Sequence, residues 1–118
     1  MPSDPKADRA LEWLEDMRDA IDAVESFVDG MDCATFLADT RTSYAVRYAL
    51  LVLSEASRRL PLDVRQRHPD IPWRNIADLG NVFRHEYHRV SDITVWRTVT
   101  EHLSALKAAI LSEIAALS

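Results

Sequence analysis

The sequence predicts an all-α fold, an up-and-down bundle of three long helices plus one or two short ones. Three observations carry that reading. Apolar residues recur at spacings of three and four over most of the chain, the period of one helix face. No segment sustains the strict apolar–polar alternation of a half-buried strand. Among 118 residues there are two glycines and five prolines, too few turn formers for a many-stranded sandwich or barrel.

Asp4 followed by Pro5 reads as an N-cap with proline in the first turn. Leu11, Leu14, Met17, Ile21, Val24 and Val28 then form one apolar stripe, and Gly30 stands where a helix stop belongs. Residues 33–39 are expected to form a short helical turn that brings Phe36 and Leu37 to the core. A second long helix is expected from near Thr40, with Tyr44, Val46, Ala49, Leu50, Leu53, Ala56 and Leu60 on its buried side and Pro61 ending it. Residues 61–68 fit a short helix, and Pro69, Asp70 and Pro72 a break. A further helix starting near Pro72–Trp73 carries Ile76, Leu79, Val82 and Phe83. Ser91 caps the last helix, whose stripe is Ile93, Trp96, Val99, Leu103, Leu106, Ile110 and Ile114. The long first and last stripes, with Trp13, Trp73 and Trp96 to bury, lead to the expectation of a symmetric homodimer, the alternative being that the tryptophans fill one chain's own core.

Residues 1–118 are expected to form one domain. Hydrophobic residues at 47% and charged residues at 28% describe a globular chain rather than a disordered one. No apolar run approaches the ~20 residues of a membrane helix, and the acidic N-terminus does not resemble a signal peptide. The single cysteine, Cys33, excludes an intrachain disulfide and a cysteine-based zinc site, and the expected compartment is the reducing cytoplasm. The net charge of -5 is unevenly spread. Residues 1–57 hold 12 acids and 5 bases, whereas residues 58–89 hold 7 arginines, no lysine and 4 acids. Arginine's planar fork suits phosphate, so this basic middle reads either as an RNA-binding surface or as a solvated, ion-paired helix face.

The densest reactive cluster is Arg84-His85-Glu86-Tyr87-His88-Arg89, with Asn81 just before it. On a continuous helix Asn81, His85, His88 and Arg89 would share a side; the lack of an apolar residue from 84 to 89 points to a surface, where the helix could instead fray into a loop before Ser91. Imidazole can take or give a proton near neutrality, guanidinium can offset charge developing on a phosphate, and an amide can orient a ligand. Together they suit metal-free RNA cleavage by the 2′-hydroxyl, which needs a base, an acid and a positive clamp. One chain offers one such cluster, so two copies across a dimer axis would supply both base and acid. The bland reading is a solvated helix end whose cations favour the helix dipole. A metal site on His85 and His88 lacks an identifiable third ligand. Glu55, mid-helix among apolar neighbours, needs a partner such as Arg47, Arg58, Arg59 or a motif arginine, or else faces the cleft and positions His85. Cys33 reads as a packing residue, and His68 and His102 as surface residues.

From about Asp8 to Leu117 the chain resembles the HepT-like family of all-helical HEPN proteins. The resemblance rests on Arg9 to Gly30, Phe36 with Asp39, Ala45-Val46, Ser54-Glu55-Ala56, Ile71-Pro72-Trp73-Arg74, His85-Glu86-Tyr87 and Val95-Trp96. It implies a HEPN-type bundle, a homodimer, and a metal-independent ribonuclease acting as the toxin of a toxin–antitoxin module, without a cofactor. It also implies an MNT-type nucleotidyltransferase antitoxin that can attach AMP to the motif tyrosine, here Tyr87. Asn81, His85 and Tyr87 match the family motif residue by residue; with Arg84 as a stand-in for the unmatched arginine, the catalytic candidates are His85, Arg84 and Asn81, and Arg74, His88 and Arg89 are candidates for RNA phosphate.

One position departs from the family pattern of arginine, asparagine, three residues, histidine. The arginine position is Gly80, giving Gly80-Asn81-Val82-Phe83-Arg84-His85. A mid-helix glycine costs about 1 kcal/mol against alanine, and points to a close backbone approach or to a loosened turn. Arg84 or Arg74 could stand in for the missing group. The departure keeps a second reading open: a catalytically weak or inactive partner of the nucleotidyltransferase that accepts AMP at Tyr87. A third is a purely structural helical dimer.

Overall fold

The caps read from the sequence are made. In the computed structural model, which describes residues 4–118, helix α1 runs Pro5–Val28 and the Asp4 carboxylate accepts from the Lys6 N–H at 3.0 Å. Gly30, at φ 76°, turns the chain away in the left-handed region that glycine enters without cost. Helix α2, Cys33–Leu37, is capped by Asp32 and α3, Thr40–Arg58, by Asp39, which accepts from the Thr42 N–H at 3.0 Å. Helix α4 spans Leu62–Gln66 and α5 Trp73–His85. A single 3-10 turn, Tyr87–Arg89, leads to α6, Asp92–Leu117, which the Ser91 hydroxyl caps through the Thr94 N–H at 3.2 Å. The fold is all-α, as the sequence predicts.

Helix α3 is the hub: α1 packs on one side of it and α5 on another, while α6 lies against α1 and α2. Leu14, Met17, Ile21 and Val24 of α1, Val46, Leu50 and Leu53 of α3, and Val95, Leu103, Leu106 and Ile110 of α6 fill the centre. Phe36 is fully buried, with its ring centroid 5.2 Å from that of Trp96. The tryptophans fit the chain's own core: Trp13, Trp73 and Trp96 pack against it from its edge. The Trp73 indole donates to the carbonyls of Arg65 and His68, both at 3.0 Å.

Three residues expected in the core are instead on the surface: Leu37 at 40% exposed, Tyr44 at 60% and Ile93 at 48%. On α3 the inward positions beside Tyr44 belong to Ser43 and Arg47, which are buried because they satisfy one another. The Ser43 hydroxyl donates to the Asp92 carboxylate at 2.5 Å, and Arg47 donates to the same oxygen at 2.7 Å and to Ser43 at 3.1 Å. A buried guanidinium is tolerated where its donors find partners. On α6 Val95 takes the inward position two residues on from Ile93. His68 is also not a free surface residue. Its Nε2 sits 2.8 Å from Glu113, which also takes two bonds from Arg67 at 2.9 and 2.8 Å and is itself buried. Among the described residues, no helix is long and apolar enough to cross a membrane.

Candidate active site

The last turn of α5 lies across α3 because Gly80 lets it. A Cβ at position 80 would stand 2.6 Å from Ser54 Oγ and 3.2 Å from Ser54 Cβ. The Ser54 hydroxyl bonds at that contact, accepting from the Gly80 N–H at 2.9 Å and donating to the Ala77 carbonyl at 3.0 Å. The missing motif arginine is therefore a packing matter. Of the two readings of Gly80, the close backbone approach is the one observed, and any side chain there requires Ser54 to shift.

Over the next turn and a half of α5, Gly80 is followed by Asn81, Arg84 and His85. Arg84 forms an ion pair with Glu55 of α3 and donates to Asn81 Oδ1 at 2.6 Å. The same oxygen accepts from Arg58, at the C-terminal end of α3, at 3.0 Å. Two guanidinium groups from two helices thus converge on one amide. Glu55 finds its partner in the motif helix, not in Arg47, Arg58 or Arg59. Arg59 stacks on Trp13, 5.0 Å from the ring centroid. His85 is exposed and, four residues from Asn81, lies on the same helix face.

Helix α5 ends at His85, since Glu86 leaves helical geometry at φ -139° and ψ 42°. The expectation that His88 and Arg89 continue the Asn81–His85 face of one helix therefore does not hold. They ride on the 3-10 turn, both exposed, and Arg89 pairs with Glu86 at 2.9 Å. Tyr87 turns back toward α3. Its ring lies 5.0 Å from the Arg47 guanidinium, 6.2 Å from the ring of Tyr44 and 6.1 Å from that of His88. It stays 37% exposed, with the buried Arg47, paired to the partly exposed Asp92, beneath it. Arg74 is exposed at the opposite end of α5, about 16 Å away along the axis at 1.5 Å per residue, so one chain does not bring it to His85.

Sequence reading offers Arg58 and Arg47 only as partners for Glu55 and misses their place at the site. Neither sits in the cluster around His85, and no local spacing marks them. Arg47 carries one faint signal, a charge inside an apolar stripe.

By class, then, the molecule is an all-helical bundle with an exposed imidazole and paired guanidinium groups at the end of its fifth helix. The chain belongs to the HepT-like ribonuclease family, whose model matches residues 17–112. It is 38% identical over 96 residues to "Probable ribonuclease HepT" of Thermococcus cleftensis, covering 81% of this chain and 87% of that protein. It is 31% identical over 95 residues to "Putative RNase MJ0125" of Methanocaldococcus jannaschii, covering 80% and 82%. No solved structure matches it.

Proposed function

We propose that the protein is a metal-independent endoribonuclease, the toxin of a HepT/MNT-type toxin–antitoxin module in the cytoplasm, working as a homodimer. The observation that carries this reading is the exposed His85 on the same helix face as Asn81, where the guanidinium groups of Arg58 and Arg84 meet. In the reaction an RNA 2′-hydroxyl attacks the adjacent phosphorus. One imidazole accepts the hydroxyl proton while an acid protonates the departing 5′-oxygen, leaving a 2′,3′-cyclic phosphate and a 5′-hydroxyl. His85 serves as base or acid, and Arg84 with Asn81 holds the phosphate as its charge grows. His88 and Arg89 extend the cationic surface along the turn, and Arg74 joins it from the second copy.

Each chain supplies one His85, so the second proton transfer falls to the partner copy. Support for pairing comes from an apolar groove of about 660 Å³ between α1 and α3, walled by Phe27, Tyr44 and Tyr48, whose side chains are otherwise left in water. Tyr44 joins that groove to Tyr87. The test is RNA cleavage by the purified full chain, free of AMP, in the presence of chelator. The expected result is cleavage by wild type and none by folded His85→Ala; intact RNA in both arms rejects the reading.

A second reading is favoured by Gly80 and by the neutralisation of Arg84 by Glu55. In it the chain cleaves weakly or not at all and serves as the substrate of a nucleotidyltransferase at Tyr87, whose ring is partly exposed. It predicts a mass gain of one AMP with that partner and ATP, absent in Tyr87→Phe. An unchanged wild-type mass with an active partner rejects it.

A further inference from the structure

We infer that Arg58, from α3, is the principal phosphate-binding cation of this site, in the place that the α5 sequence leaves empty at Gly80. The inference rests on the ribonuclease reading for its substrate, single-stranded RNA, but its charge argument stands on the geometry alone. Arg58 and Arg84 both donate to Asn81 Oδ1, so their guanidinium groups lie side by side. Their charges are not equivalent. Arg84 is bound to the Glu55 carboxylate, and a phosphate approaching it must displace or share with that anion. Arg58 is exposed, and among the described residues its side chain bonds to the neutral amide of Asn81. Of the two guanidinium groups, Arg58 is therefore the one with no carboxylate in ion-pair contact among the described residues.

The Ser54 contact at Gly80 closes the position from which a motif arginine would reach out of α5. Arg58 follows Ser54 by four residues on α3, one turn along the same face, and so enters the site beside that contact from the neighbouring helix. Asn81 holds the guanidinium by one hydrogen bond, and among the described residues its remaining donors take no other partner, which leaves them for bidentate phosphate binding.

The test measures binding apart from cleavage. A fluorescein-labelled single-stranded DNA oligonucleotide lacks the 2′-hydroxyl and is bound without being cut. Its affinity for the full-length protein is read by anisotropy from about 50 to about 200 mM salt, for wild type, Arg58→Gln, Arg58→Lys and Lys107→Gln. The last removes an equal charge from an α6 residue paired with Asp22 and Glu25. Losing one phosphate contact on a single strand lowers the slope of log K against log salt by about 0.7. Arg58→Gln is expected to show that drop and roughly tenfold weaker binding, the loss of one charge-assisted contact. Arg58→Lys is expected to keep the slope, and Lys107→Gln to keep slope and affinity. An unchanged Arg58→Gln, an equal drop in Lys107→Gln, or no binding by wild type overturns the inference. An Arg58-dependent slope in a protein that cleaves no RNA sinks the nuclease reading and leaves this one standing. Cleaved RNA with binding and cleavage both unmoved in Arg58→Gln does the reverse.

Discussion

Among the described residues, two clusters of histidine, arginine and carboxylate have opposite fates. In the one joining α4 to α6, Glu113 is buried and receives Arg67 and His68 at 2.8–2.9 Å, so the charges are spent on one another. At the end of α5, Glu55 answers Arg84 alone, leaving His85 in water and Arg58 bound to a neutral amide. Composition does not separate the two. What separates them is whether each charge has been matched within the chain, since an unmatched group meets a substrate without first giving up a partner.

The largest effect separating the clusters should come from the two histidines. His85→Ala is expected to lower RNA cleavage by at least about 10²-fold, the usual contribution of a proton-transfer group, with the thermal midpoint unmoved. His68→Ala should do the opposite, moving the midpoint and leaving cleavage alone. Paired cleavage and melting measurements on both variants check this, and a His85→Ala variant that melts early without losing activity breaks the contrast.

Next in size is Glu113→Ala, expected to cost about 2–3 kcal/mol in urea unfolding. Removing one side of a buried pair strands the other, and the half-exposed Arg67 keeps the loss at the lower end. Gly80→Ala should follow at roughly 1 kcal/mol: overpacking against Ser54 costs about 1–3 kcal/mol, partly offset by alanine's better helix propensity. Gly80→Arg, which restores the family residue, should be worse and should not raise activity, because α5 must be pushed off α3. A stable and more active Gly80→Arg would show that the packing argument is wrong.

The smallest effect is on pH dependence. The Arg67 hydrogen bonds, ahead of that from His68, hold the Glu113 carboxyl below its ordinary 4.5, and the Ser43 hydroxyl, ahead of Arg47, holds Asp92 below 3.8. A depressed folded-state value adds stability that is complete above the unfolded value and is lost as pH falls through the folded one. The thermal midpoint should therefore fall progressively below about pH 4.5, and less steeply in Glu113→Gln. Parallel slopes for the two proteins would deny Glu113 its part.

Local chemistry alone determines most of the bundle. A cap at Asp4 or Ser91, a stop at Gly30 and a break at Pro61 or Pro72 each act within three or four residues, so the order of the helices and most of their ends are legible in the sequence, although six helices form among the described residues where four or five are expected. So is the cluster at Asn81, Arg84 and His85, since one helical turn suffices to gather it. What the period cannot tell is which polar residues turn inward: Tyr44 reads as core and is exposed, while Arg47, expected only as a partner for Glu55, is buried and bonded to Asp92, 45 residues away. Packing α5 on α3 decides three further things: the tight contact at Gly80, the pairing of Glu55 with Arg84, and the arrival of Arg58 at Asn81 from 23 residues upstream. Such matches depend on which helices lie side by side, and no interaction within one turn of chain encodes that.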